Sequence, residues 1–259
     1  MKTKSHTILA ALTLLVSLWT MANGNWSLAE EGGLEESVRV DRDCFGDTVD
    51  VYLVDQPSGE PKVLLHLPVD ARPIVYPSRS RKPVLSESGC AQEPIYSRSV
   101  YFNPGHLRDL NAAIGFDEDE PTVRRFEIYP GKGISRSVYE KKSERASRAA
   151  AEGKTELTPE GFTRLNPSGG DSGEYIAPQT YVEPSGYPLQ FFCFPSVSGS
   201  ECNIQYWLPG DVVVNYWFLT SSVEPRDWTK LDKAMRRVVT GLLDSNYLEQ
   251  WQDTTGGVL

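Results

Sequence analysis

The C-terminal third of the chain restricts the fold more than any other part. Ile204, Tyr206 and Leu208 alternate with Asn203, Gln205 and Trp207, and Pro209-Gly210-Asp211 supplies a turn. Val212 to Leu219 then returns as a β-branched and aromatic run, with Val212, Val214, Tyr216 and Phe218 on one face. Period-two patterning on both sides of a turn reads as an antiparallel hairpin. The period then changes. Pro225 suits a first helical turn and Asp227 a cap. Trp228, Leu231, Met235, Val238, Val239 and Leu242 recur at steps of three and four, apart from the adjacent valines. Lys230, Lys233, Arg236 and Arg237 occupy much of the remaining surface. Such a helix packs its apolar stripe on a sheet and leaves its basic face in water. The expected fold class is therefore α+β: largely antiparallel sheet with a C-terminal amphipathic helix packed on it.

Four cysteines add a framework. Cys44, Cys90, Cys193 and Cys202 are an even set without a C-x-x-C spacing, which favours two disulfides over redox or metal chemistry. Three pairings are open. Cys193 closes one apolar run and Cys202 opens the next, with the turn-rich Pro195 to Ser200 between them. A hairpin there brings the two thiols within bonding reach, so Cys193–Cys202 with Cys44–Cys90 is the preferred set.

The amino terminus sets the expected compartment. Lys2 and Lys4 precede an uncharged apolar stretch, Thr7 to Met21, and Ala22-Asn23-Gly24 follows with small residues. This is the tripartite pattern of a cleavable signal peptide, and the stretch is shorter than the roughly 20 residues a membrane span needs. Residues 1–24 are thus expected to be a signal peptide, and the mature protein periplasmic with no integral span. Loss of the two lysines moves the formal net charge from −9 to about −11, which disfavours nucleic acid and anionic lipid as partners.

Within the mature chain, 25–100 is a β-rich N-terminal part. Val38 to Val40, Val49 to Val54, Val63 to Leu67 and Ile74 to Tyr76 are short strand-like runs punctuated by Gly, Pro and Ser. Residues 101–175 form a mixed helix and loop insertion. A short helix is expected over Leu107 to Ile114, a strand over Val123 to Tyr129 and an exposed helix over Tyr139 to Glu152, with 153–174 a polar loop. Residues 176–259 hold the hairpin and the C-terminal helix. The length of 25–259 suits one large domain or two small ones.

Catalytic patterns fail on inspection. Gly170-Asp171-Ser172-Gly173 imitates a serine-protease nucleophile segment. Neither His66 nor His106 sits in the matching context, and Glu174 stands where glycine is needed. Gly153-Lys154-Thr155 resembles the end of a phosphate loop, but Arg148 replaces its opening glycine. Asp117-Glu118-Asp119-Glu120 lacks the spaced ligands and fixed glycine of a calcium loop. No catalytic residue, metal ligand or cofactor site is assigned, and a non-enzymatic role is expected.

The stretch from Cys202 to Leu243 resembles the C-terminal end of periplasmic immunity proteins against type VI secretion phospholipase effectors. The likeness rests on the cysteine-led strand, the Pro-Gly-Asp turn, the returning strand, Arg226-Asp227-Trp228, Leu231-Asp232 and Met235 to Val239. It implies stoichiometric inhibition of a secreted lipase-like toxin. Contact candidates, chosen by exposure and polarity, are Asp117, Glu118, Asp119, Glu120, Tyr139, Arg145 and Arg148. The alternative is a non-catalytic binding or assembly component of the cell envelope.

Overall fold

The computed structural model describes residues 37–249, apart from 39, 57, 103–122, 132–134, 167–172, 185 and 198. The chain divides into Met1–Glu35 and Glu36–Leu259, and everything below concerns the second unit. The expected signal peptide, the 107–114 helix and the 117–120 acidic run lie outside the described residues, as does most of the serine-protease-like segment.

Among the described residues, eleven strands join one sheet. They are β1 (Thr48–Val54), β2 (Pro61–Pro68), β3 (Ile74–Pro77), β4 (Ile95–Phe102), β5 (Val123–Pro130), β6 (Thr155–Leu157), β7 (Thr163–Leu165), β8 (Gly173–Ile176), β9 (Gln190–Ser196), β10 (Gly199–Leu208) and β11 (Val212–Leu219). The order across the sheet is β2-β1-β4-β5-β11-β10-β9-β8-β7-β6, with β3 paired to β4. All pairs are antiparallel except β1 with β4. The described α-helices are a short α1 (Arg42–Phe45), a longer α2 (Ser135–Ala151) and the C-terminal α3 (Trp228–Leu242).

The alternating runs decide which face is core. Val49, Val51 and Leu53 of β1, Val63, Leu65 and Leu67 of β2, and Val212, Val214, Tyr216 and Phe218 of β11 are all buried in one cluster. Helix α3 adds Leu231, Ala234, Met235 and Val239 to it. Trp228 is the keystone. Its ring lies 4.9 to 5.8 Å from those of Phe191, Tyr175, Phe162 and Phe218, and its indole N–H donates to the Val223 carbonyl at 3.1 Å. Both preferred disulfides are present, Cys44–Cys90 and Cys193–Cys202, the latter between directly paired residues of β9 and β10. The α+β architecture, the C-terminal hairpin and the helix on the sheet are as the sequence predicts.

Four local readings are corrected. The 153–174 region contains β6 and β7, because Phe162 and Leu165 bury their side chains and turn the segment into a short hairpin. Val38 makes a single bridge to Val75 and not a strand. Asp227 stands at the N-cap position of α3 as expected, but it ends a 3₁₀ turn, Pro225–Asp227, and its side chain makes no capping hydrogen bond. Arg236, expected on the solvated face, is only 4% exposed because Asp232, one turn earlier and fully buried, neutralises it.

Candidate protein-binding face

The sheet has a second face. Residues that alternate with the core positions of β1, β4, β5, β10 and β11 point away from α3, and they are mostly aromatic, amide or arginine side chains. Tyr52 and Tyr96, registered neighbours on β1 and β4, stack at 5.7 Å with their planes 17° apart. The Arg81 guanidinium lies 4.5 Å from the centre of the Tyr96 ring, that of Arg98 5.6 Å from Tyr76, and that of Arg125 5.5 Å from Tyr101. Arg125 also pairs with Glu127 at 3.1 Å. Further along, Trp217 meets Phe194 edge-on at 5.2 Å. Gln205 donates to the Tyr129 hydroxyl at 2.6 Å, and Asn203 to Asn215 at 2.5 Å. The five tyrosines and Trp217 are all partly exposed. Burial of the Tyr101 and Tyr129 phenols pushes both above the ordinary tyrosine value, so these rings present neutral hydroxyls.

Such a surface is preorganised. Each ring is held by a strand and a neighbouring ring or guanidinium, so little side-chain freedom remains to be lost on contact. Tyr, Trp and Arg are also the residues that most often anchor protein interfaces.

Comparison with protein-family models, curated proteins and solved structures finds no match in any of the three.

The contact candidates read from sequence are distributed unevenly. Asp117 to Glu120 lie outside the described residues. Tyr139, Arg145 and Arg148 all belong to α2, and Arg148 is exposed. Arg145 is engaged within the chain: it pairs with Glu174 of β8, a nearly buried carboxylate, and thereby ties α2 to the sheet. The aromatic face was the missed feature. Its trace in the sequence is the non-core half of each alternation, such as Tyr96 and Tyr101 in β4 or Arg125, Glu127 and Tyr129 in β5.

Two polar clusters brace this sheet. The first lies under it. Asp232 accepts hydrogen bonds from the Tyr216 hydroxyl at 2.5 Å, the Tyr181 hydroxyl at 2.7 Å and Arg236 Nε at 2.7 Å. Arg236 donates onward to the Val182 carbonyl at 2.8 Å. The second lies at the β2 edge. His66 Nδ1 is 2.7 Å from Asp50 and its Nε2 3.4 Å from Asp244, just beyond α3. Both ring nitrogens face carboxylates, which leaves neither free to deprotonate a nucleophile. Beside this clamp is an open cavity of about 310 Å³ lined by Tyr52, Lys62, Leu64, Asp244, Asn246 and Tyr247. A second, of about 240 Å³, lies between β7, β8 and the start of α3. Both fall at or below the small end of ligand pockets.

The clamp makes stability depend on pH. The hydrogen bond to Asp50 holds the His66 value above the ordinary histidine range, outweighing burial, with Asp244 assisting. A raised folded value stabilises the protein fully below about pH 6.5, the unfolded value, and the gain disappears as pH rises through the folded value. His66 is 43% exposed, so the gain is held to below about 1 kcal/mol. The melting temperature of His66→Asn should therefore lie below that of the native chain at pH 5, and the two should converge at pH 9. An equal gap at both pH values would remove the charge from the explanation.

Proposed function

We propose that this protein is a non-catalytic, periplasmic inhibitor that docks on a secreted lipase-like toxin and neutralises it stoichiometrically. The toxin class comes from the C-terminal resemblance. The observation that supports binding by surface is the row of arginine-capped tyrosines on the sheet face turned away from α3. Two disulfides suit a protein that matures in an oxidising compartment. The face spans several strands, and a stable contact takes about 800 Å² from each partner. The acidic run Asp117 to Glu120, with Tyr139, Arg145 and Arg148 of α2, supplies further contact candidates at positions chosen for exposure and polarity.

The test is an activity titration. A lipase-like toxin from the same genome should lose its activity at a one-to-one ratio with the protein. Tyr101→Ala combined with Trp217→Ala should weaken the complex tenfold or more, about 1.4 kcal/mol, with the circular dichroism spectrum unchanged. Full lipase activity at saturating protein would reject inhibition and favour an envelope-binding role.

A further inference from the structure

We infer that the loop from Ser78 to Gln92 is a docking element for an anionic lipid surface. The loop carries Arg79, Arg81 and Lys82 against the single carboxylate Glu87, in a chain whose net charge is −9. After the cations and Pro83 come Val84 and Leu85, 62% and 60% exposed. Two other large apolar side chains among the described residues, Leu157 and Val197, are more exposed still, but each stands alone in the chain. Cations beside exposed aliphatics are the combination that binds membrane interfaces: the charges meet lipid phosphates while the apolar groups enter the acyl boundary.

The loop is built to hold this arrangement. Its base is fixed by Ser78, which is 2% exposed, bonds through its N–H to the Tyr96 carbonyl at 2.8 Å and receives the Gln56 amide at 2.9 Å. Arg81 rests on the Tyr96 ring. Beyond the apolar pair, Gln92 N–H returns to the Val84 carbonyl at 2.8 Å, Leu85 bridges Ala91, and Ser86 and Cys90 bond to each other. Cys90 is anchored to Cys44. Val84 and Leu85 are thus kept exposed by a hydrogen-bonded, disulfide-tied turn and not by slack chain.

Lipid fits this element better than protein does. Interface anchors are mainly Trp, Tyr and Arg, with Leu and Val under-represented, and the aliphatic pair here sits on a turn. The overall negative charge does not forbid approach, because beyond about 10 Å at 0.1 M salt distant charges are screened and the local cations dominate.

The experiment is co-sedimentation of the full mature protein with vesicles of phosphatidylglycerol and phosphatidylethanolamine, and with phosphatidylcholine vesicles. Binding is expected on the anionic vesicles only, falling at least tenfold between 50 mM and 500 mM salt. Arg81→Glu with Lys82→Glu should abolish it, and Val84→Ser with Leu85→Ser should weaken it at least fivefold, both with unchanged thermal melts. Equal partition onto both vesicle types, no partition onto either, or binding indifferent to either double substitution would overturn the assignment. Loss of toxin capture in these variants without any vesicle binding would also overturn it, and would give the loop to a protein contact.

Discussion

Replacing Asp232 by alanine is expected to destabilise the fold by about 3–5 kcal/mol, the cost of leaving one charge of a buried pair without its partner. The carboxylate is fully buried and accepts from Tyr216, Tyr181 and Arg236 at once. Without it, three donors lose an acceptor in a site where Arg236 is 4% exposed. Burial alone would depress the Arg236 value, and the charge of Asp232 beside it reverses that and holds it above normal. The Tyr206 hydroxyl, also buried, has no hydrogen-bond partner among the described residues, so the cluster already carries one unsatisfied donor before Asp232 is removed. Since domains are stable by only about 5–15 kcal/mol, the variant should show a large fall in its urea midpoint. A second variant separates charge from shape. Asp232→Leu with Arg236→Met removes both charges, and apolar replacement of a buried pair is often neutral or stabilising. The double substitution should therefore recover most of the loss. A change below about 1 kcal/mol for Asp232→Ala would mean that water enters the site and solvates Arg236.

This cluster also shows where sequence reading stops. In α3 the apolar residues announce their face by period, and the stripe from Trp228 to Leu242 is where the pattern places it. Charge carries no such label. Arg236 looks like its neighbour Arg237 in the sequence, and only the tertiary position of Asp232, Tyr181 and Tyr216 takes it out of water. Strand β4 was hidden for a related reason. Its alternation contains a serine at a core position and a bulge opposite Tyr76 and Pro77. Ser97 is nevertheless fully buried, because its hydroxyl lies 2.7 Å from the carbonyls of both Tyr76 and Ser99. The parallel pairing of β1 with β4 brings together segments more than 40 residues apart, which no local pattern encodes. The candidate face inherits that difficulty. Tyr52, Tyr96, Tyr101, Arg125 and Trp217 are individually unremarkable in the sequence and become neighbours only through strand order.

The two disulfides should differ in their weight, and the longer loop should matter more. In the chain-entropy account a cross-link stabilises by restricting the unfolded chain, and the restriction grows with loop length. Cys44 and Cys90 are 46 residues apart and Cys193 and Cys202 only 9, which gives about 4 and about 2.6 kcal/mol respectively. Native packing points the same way. Cys193 and Cys202 face each other on strands already paired through six registered positions, so their contact survives without the bond. Cys44 sits on α1 and Cys90 on the loop that carries Val84 and Leu85, and the bond ties these two segments together directly. Cys44→Ser with Cys90→Ser is therefore expected to lower the unfolding free energy by about 4 kcal/mol and to expose residues 84–92 to faster amide exchange. Cys193→Ser with Cys202→Ser should cost less and leave exchange in β9 and β10 close to native. The reverse ranking would mean that native-state packing around the β9–β10 bridge, and not restriction of the unfolded chain, decides what each disulfide contributes.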